Sequence, residues 1–246
     1  MIYWEVELTI FGDITIDSSI KFETLKGYDN SFITKVSIVK FQNGIKIKII
    51  AQADSQSDAN DAGLYFVGQA LDYLAFKINM PLYMSLNGMN IEKIEHNVKR
   101  IIRKNEFEES FSKSRFIGIN VPHLSRALSW YRKALNNEDP IDSFLSYWNS
   151  IECVASVFAD NNERTKKGIV NKICNCFDKL WISVDKWKII QNNAIIINDL
   201  CEKRNHIAHG VIPINIETVK ELILYKKMVQ ELSFNFINDF MIKYEY

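Results

Sequence analysis

The stretch Lys203-Arg204-Asn205-His206-Ile207-Ala208-His209-Gly210 places a guanidinium, an amide and two imidazoles within six residues. It closes an apolar pattern of helical spacing that runs from Trp187 to His209. Gly210 is a helix stop signal, and Pro213 prevents the helix from resuming. The sequence therefore predicts a buried helix whose last turn carries polar chemistry.

Arg204 lies on the apolar face of this predicted helix. At about 100° per residue, that face is formed by Ile190, Ala194, Ile196, Ile197, Leu200, Cys201 and Ala208. A guanidinium stays charged and is costly in an apolar setting without a partner. We therefore expect Arg204 to meet a carboxylate, a cleft or a second subunit.

Asn205 and His209 stand four residues apart and are expected to stack on the flank of the apolar face. Asn205 could hydrogen-bond to His209 or to a nearby backbone group. The first option would orient an imidazole, a group that titrates near neutral pH and suits proton transfer. His206 is expected to face solvent. The simpler alternative is an Arg paired with an acid and a His that interacts with the helix dipole.

The chain is helical in pattern from Val121 onwards. Asp139-Pro140 is a cap followed by proline at the first helical position, which predicts a helix to about Phe158. Its buried face consists of Phe144, Leu145, Trp148, Ile151 and Ala155, with Glu152 among them. A buried acid and a buried Arg would each be costly alone, so we expect Arg204 to meet either Glu152 or a dimer partner. The other predicted helices are one marked by Leu124, Leu128, Tyr131 and Leu135, one over Thr165–Trp181, and one from Ile216 towards Met241 that Asn215 caps.

The first fifty residues have the patterns of β-strands. The predicted strands are Tyr3–Ile10, Ile14–Phe22, Ile33–Phe41 and Ile45–Ala51, the last two joined by a Gln42-Asn43-Gly44 hairpin signal. A helix over Ala62–Phe76 is expected to cover one face of this sheet. The predicted fold class is α+β, with a β-rich domain at 1–80, a connecting region at 81–116 and a helical domain of four or five helices at 117–246.

Two short basic stretches are weak candidates for RNA binding. Lys99, Arg100, Arg103 and Lys104 stand at helical neighbour positions, and Lys166 and Lys167 lie near the start of a predicted helix. Glu106, Glu108 and Glu109 follow the first stretch directly. A solvated surface that compensates its own charge is the alternative for that stretch.

Composition indicates a well-packed globular protein. The 246 residues are 47% hydrophobic, with nine Gly and four Pro, and 30 basic residues balance 30 acidic ones. No global field therefore favours nucleic acid or membrane. The start of the chain lacks the pattern of a signal peptide, and no stretch is apolar enough for a membrane span, so we predict a cytoplasmic protein. Cys153, Cys174, Cys176 and Cys201 lack zinc spacing and are expected to be buried free thiols.

A helical domain whose penultimate helix ends in Arg-Asn-x-x-x-His resembles the HEPN superfamily. The family motif is an Arg, four to six residues and a His, with a polar residue usually next to the Arg. Arg204, Asn205 and His209 match it. The stretch from Asp139 to Phe158 is similar to the helix that precedes the motif in Apea-like HEPN proteins. The resemblance covers about half of the chain, from Val121 to the C-terminus.

The resemblance implies a metal-independent endoribonuclease without a cofactor, in a homodimer whose two motifs line one cleft. Arg204, Asn205 and His209 would be catalytic, with Glu152 and His206 in support. Such an enzyme could be a toxin or a phage-defence effector, with an antitoxin or regulatory protein as a further partner. The alternatives are a HEPN module that binds RNA, a nucleotide or a partner protein without cleavage, and a purely structural role in capping a helix and serving a dimer interface.

Overall fold

The computed structural model describes residues 2–28, 31–85, 99–137, 139–182, 187, 194–211 and 216–246. The chain divides into two compact units, Met1–Asn120 and Val121–Tyr246. The first unit contains an antiparallel β-sheet with helices, and the second is helical. The predicted α+β fold class is confirmed.

The first unit is built on a five-stranded antiparallel sheet. Its strands are β1 (Ile2–Phe11), β3 (Ile20–Tyr28), β4 (Ser31–Phe41), β5 (Gly44–Ala53) and β6 (Tyr83–Ser85), in the spatial order β3-β4-β5-β1-β6. Two further strands, β2 (Ile14–Thr15) and β7 (Arg100–Ile101), form a small parallel pair. The predicted hairpin is confirmed, because Phe41 pairs with Gly44 across a two-residue turn.

The predicted strand over Ile14–Phe22 is wrong in one respect, since the chain forms two strands there. The interruption begins at Ile16, and the side chain of the next residue, Asp17, accepts a hydrogen bond of 2.6 Å from the backbone N–H of Ser18. Asp and Ser side chains offer the backbone such local bonds in place of ladder bonds. This local bond ends the pairing of β2 and lets β3 join the larger sheet.

Helix α1 (Gln56–Ile78) covers one face of the sheet, as predicted, and is longer than the predicted 62–76. The side chain of its N-cap residue, Ser55, accepts a hydrogen bond from the backbone N–H of Asp58. The residues that β1 and β5 turn towards the core are buried: Val6, Leu8, Ile10, Ile45, Ile47, Ile49. The helix approaches them closely at Gly63, where a Cβ atom would lie 3.0 Å from Cγ1 of Val6 and 3.2 Å from Cδ1 of Ile49.

Replacing Gly63 with Ala is expected to destabilise the protein by about 1 kcal/mol. The overpacking cost of about 1–3 kcal/mol exceeds the gain of about 1 kcal/mol from removing a glycine inside a helix. Gly68, on the same helix, is the matched control, because its added Cβ would meet only Cε of Met84 at 3.6 Å. Gly68→Ala is therefore expected to stabilise by about 0.5–1 kcal/mol. Urea denaturation measures both, and stabilisation by Gly63→Ala would contradict the close contact.

Part of the predicted connecting region belongs to the first unit. Residues Lys104–Asn120 form helix α2, which packs against α1. The two helices are joined by a hydrogen bond of 2.9 Å from the hydroxyl of Tyr73 to Oε1 of Glu109, and Phe111 packs edge-to-face on Phe22 of β3. The unit boundary falls at Asn120 instead of residue 116 or 117. Residues 86–98 of the predicted connecting region lie outside the described part of the chain.

The second unit consists of helices packed around α4 (Pro140–Phe158). The other helices described there are α3 (Pro122–Asn136), α5 (Ile169–Trp181), α6 (Ala194–Ala208) and α7 (Ile216–Lys243), and α4 contacts all four. The predicted start of α4 is confirmed, since the side chain of Asp139 accepts a hydrogen bond of 2.7 Å from the backbone N–H of Ile141, and Pro140 is the first helical residue. Fully buried aromatic side chains fill the core: Tyr131, Phe144, Tyr147, Trp148, Phe177, Phe236 and Phe240.

Two predicted helices begin later than the patterns indicated. The helix predicted over Thr165–Trp181 starts at Ile169, because Gly168 has a φ of +132° and separates it from a 3-10 turn at Thr165–Lys167. The motif helix is described from Ala194, and Trp187 lies outside it as a buried residue that packs edge-to-face on Phe177. The predicted apolar position at 190 and the predicted cap at 215 lie outside the described residues.

Candidate functional site

Helix α6 ends as the sequence predicts, and its end fixes the backbone around the motif. Gly210 has a φ of +64°. Its N–H donates to the carbonyl of Ile207 at 3.0 Å, and the N–H of Val211 donates to the carbonyl of His206 at 2.8 Å. These two bonds form a Schellman motif, in which a residue in the left-handed region closes the helix. His209 is the residue at which the helix ends, and its own N–H still donates to the carbonyl of Asn205 at 3.0 Å.

Arg204 pairs with Glu152 of α4, which is one of the two partners that the sequence allowed. Nη2 of Arg204 lies 3.1 Å from Oε2 of Glu152. The second carboxylate oxygen, Oε1, accepts a hydrogen bond of 2.6 Å from Nε1 of the fully buried Trp148. Both oxygens of Glu152 are thus engaged, which fixes the carboxylate and the guanidinium it binds.

The guanidinium of Arg204 is held in place by two hydrogen bonds and keeps further N–H donors for a ligand. Nη1 donates to Oδ1 of Asn205 at 3.0 Å, so each terminal nitrogen makes one hydrogen bond. A guanidinium carries five N–H donors, and the other three have no acceptor among the described residues. The side chain of Arg204 is 28% exposed and that of Glu152 is 20% exposed. The pair is therefore neither dry nor closed, and it can still donate hydrogen bonds to an anion.

Asn205 does not serve the role that helical spacing favoured. Its Oδ1 accepts from Arg204, and its Nδ2 donates to Sγ of Cys201 at 3.8 Å. Among the described residues, no side chain hydrogen-bonds to the imidazole of His209. The possible Asn205–His209 side-chain bond is thus absent there, because the charged guanidinium next to Asn205 competes for its oxygen. Asn205 helps to position Arg204 instead.

The last turn of α6 is exposed. His206 and His209 are both exposed, which confirms the expectation for His206. Ala208 is exposed as well, although it was predicted to belong to the buried face. The buried face ends about two turns earlier, at Leu200 and Cys201. Both imidazoles are therefore accessible to a ligand from solvent.

The cysteines of this unit are not suited to act as nucleophiles. Cys174, Cys176 and Cys201 are buried, as predicted, whereas Cys153 is half-buried. Burial raises the pKa of the Cys201 thiol, and the nearby charge of Glu152 raises it further. Burial also raises the pKa of Cys176 to about 12. In the part of the chain that the structure describes, no three His, Cys, Asp or Glu side chains converge to hold a metal ion.

Most of the predicted RNA-binding cations have local partners. Nζ of Lys99 donates to the carbonyl of Gln42, and Lys166 pairs with Glu163 at 2.8 Å. Arg100 lies in β7 and pairs with Glu106 at 2.6 Å, whereas Lys104 begins α2 and lies 3.5 Å from Glu108. The expected helical spacing of the first stretch is therefore wrong, because a strand and then a helix start there. Arg103 and Lys167 are exposed and have no side-chain partner within the described ranges.

A different basic surface was missed by the sequence interpretation. Helix α3 carries Arg126, Arg132 and Lys133 and no acidic residue. Arg126, Trp130 and Lys133 recur at spacings of four and three, which places them on one helix face. That spacing, together with the absence of acids, was a signal in the sequence that could have identified them.

In comparisons with known proteins, no family model matches the chain, and no similar curated protein or solved structure was found. The resemblance to the HEPN superfamily therefore depends on the sequence motif and the helical pattern. Among the described helices, none has the length and apolar character needed to cross a membrane.

Proposed function

We propose that the second unit is a HEPN-type endoribonuclease that cleaves RNA without a metal ion. The observation that carries this proposal is that the side chain of Arg204 is both fixed by hydrogen bonds and partly exposed. Glu152 and Asn205 hold its guanidinium in place, but 28% of the side chain is exposed and three of its N–H groups have no acceptor among the described residues. A fixed, partly exposed guanidinium suits a phosphate better than it suits a purely structural ion pair.

The proposed reaction transfers the phosphate within the RNA strand. His209 takes the proton of a ribose 2′-hydroxyl, and the 2′-oxygen attacks the adjacent phosphorus. The bond from phosphorus to the 5′-oxygen breaks, and that oxygen leaves with a proton from a second acid. The products are a 2′,3′-cyclic phosphate and a 5′-hydroxyl. Arg204 donates hydrogen bonds to the non-bridging phosphate oxygens as negative charge develops on them, and Asn205 keeps the guanidinium oriented.

A homodimer would complete the proposed site. Arg204 and His209 are five residues apart on one helix, so they differ by about 140° in direction and about 7.5 Å along the axis. One phosphate reaches both groups more easily when a second copy supplies one of them. The second copy also supplies the second imidazole that acid–base catalysis requires, with His206 as the weaker candidate for this task. An isologous dimer brings two copies of the same helix end together.

The proposal is tested by incubating the purified full chain with single-stranded RNA in buffer containing EDTA. We expect fragments that end in 2′,3′-cyclic phosphate, which mass spectrometry identifies because they weigh one water less than a 3′-phosphate. The absence of cleavage, a requirement for added divalent metal, or fragments that end in a 3′-hydroxyl would contradict the proposal.

A non-catalytic HEPN module that binds RNA, a nucleotide or a partner protein is the second candidate. The ion pair with Glu152 favours it, because this carboxylate already neutralises Arg204. In that case, RNA binding would be measurable without any cleavage. A toxin or phage-defence role, a cytoplasmic location and a regulatory partner such as an antitoxin are further proposals. Growth arrest on expression, relieved by His209→Ala, would support the toxin role.

A further inference from the structure

The exposed side of α3 carries basic side chains, and the helix itself contains no acidic residue. We call the set of Arg126, Trp130 and Lys133 the α3 stripe. Arg126 and Lys133 are exposed, and Trp130 is half-buried. The opposite side of the helix is anchored in the core by Leu124, Ala127, Leu128, Tyr131 and Ala134. The stripe is therefore a rigid part of the unit.

Trp130 holds both cations of the stripe. Cζ of Arg126 lies 4.9 Å from the centroid of the indole ring, and Nζ of Lys133 lies 4.7 Å from it. Each contact is a cation–π interaction. Among the described residues, no carboxylate pairs with either cation. Two positive charges are thus held close to one ring, where they can contact neighbouring phosphates of one strand.

The two ends of the stripe lie at different distances from the part of α4 that carries Glu152. Helices α3 and α4 pack together, and at one end the side-chain hydroxyl of Ser143 donates to the carbonyl of Ala134 at 2.8 Å. At the other end, Arg126 is close enough to Cys153 for its positive charge to lower the pKa of that thiol, although burial raises the pKa overall. Cys153 follows Glu152 in α4. The Arg126 end of the stripe is therefore the end nearer to the proposed site.

We propose that the α3 stripe binds the phosphate backbone of single-stranded RNA and directs the strand towards Arg204 and His209. This inference rests on the proposed function, because it identifies the surface by which that site recruits its substrate. Arg126 and Lys133 contact phosphates, and Trp130 is a positioning residue that keeps the two cations in place. Unpaired cations near an aromatic ring are typical of surfaces that bind single strands. An acidic peptide would also satisfy the charges, but RNA is favoured because the proposed site of the same unit acts on RNA.

The test measures binding of a fluorescent oligouridylate to the full chain across a range of salt concentrations. All variants carry His209→Ala, so that cleavage does not deplete the RNA. For single strands, the slope of log K against log salt is about −0.7 per phosphate contact. Arg126→Gln/Lys133→Gln is therefore expected to weaken binding and to make the slope shallower by about 1.4. Trp130→Leu is expected to weaken binding about two- to fivefold with an unchanged slope.

Lys21→Gln/Lys40→Gln is the matched control, since it removes two exposed positive charges of the first unit that have no carboxylate partner among the described residues. It is expected to leave affinity and slope as in the parent protein. An unchanged slope in the α3 double variant, an equal change in the control, or tighter binding of polyglutamate than of RNA would overturn the inference. Circular dichroism verifies that each variant is folded. Cleavage is assayed separately with His209 intact. RNA binding through the stripe without cleavage would refute only the nuclease proposal, whereas cleavage with an unchanged slope would refute only the stripe.

Discussion

Substitution of His209 by Ala is expected to lower the rate of RNA cleavage by about 10²–10⁴-fold, the usual contribution of a general acid or base. The thermal unfolding midpoint is expected to stay unchanged. The imidazole is exposed and has no side-chain partner in the described part of the chain, and the end of α6 is closed by backbone hydrogen bonds that an Ala preserves. Single-turnover cleavage assays and thermal unfolding measure the two quantities.

His206→Ala is the matched control for this experiment. His206 is exposed in the same helical turn, so its substitution removes an equivalent side chain. We expect a smaller loss of activity, because His206 is only an alternative proton donor. Cleavage by His209→Ala at the wild-type rate would contradict the proposed chemistry. A loss of the same size in both variants would show that the assay does not report on the role of His209.

Some features of the site could be predicted from the sequence because local geometry or a high energetic cost leaves few alternatives. Helical spacing places Glu152 and Arg204 among apolar residues, where an unpaired charge is costly, so a partner of opposite charge is expected for each. The end of α6 at Gly210 and the start of α4 at Asp139 follow from the backbone preferences of single residues. These features depend on local geometry or on a strong energetic penalty, and few alternative arrangements satisfy them.

Contacts that several partners could satisfy were not predictable. Asn205 could reach His209, Arg204 or Cys201, and only the packed structure shows that it bonds to the last two. The same holds for cations such as Arg100. Whether its guanidinium can bind a phosphate depends on whether Glu106 forms an ion pair with it, as it does in the structure. The α3 stripe is the reverse case, because Arg126, Trp130 and Lys133 share one face of a helix without acidic residues, and this pattern is visible in the sequence.

Substitution of Arg204 by Gln is expected to lower the rate of cleavage by about 10²–10³-fold, as loss of a group that stabilises developing charge does. It is also expected to lower the free energy of unfolding by about 1–3 kcal/mol, between the values for exposed and fully buried ion pairs. The stability loss arises because Glu152 keeps its contact with Trp148 but loses its cationic partner. Cleavage rates at saturating RNA and urea denaturation separate the two effects.

Glu152→Gln distinguishes a catalytic Arg204 from a structural one. Both variants break the same ion pair, so both lose a similar part of the stability, and the double variant loses little more. If Arg204 acts on the phosphate, Glu152→Gln keeps the guanidinium and loses only its orientation, a loss of about tenfold or less for one hydrogen bond. If Arg204 served only to pair with Glu152, the two single variants would lose activity equally. Equal losses would therefore show that the ion pair has only a structural role in the second unit. Arg204 would then not stabilise charge in the reaction that His209 is proposed to catalyse.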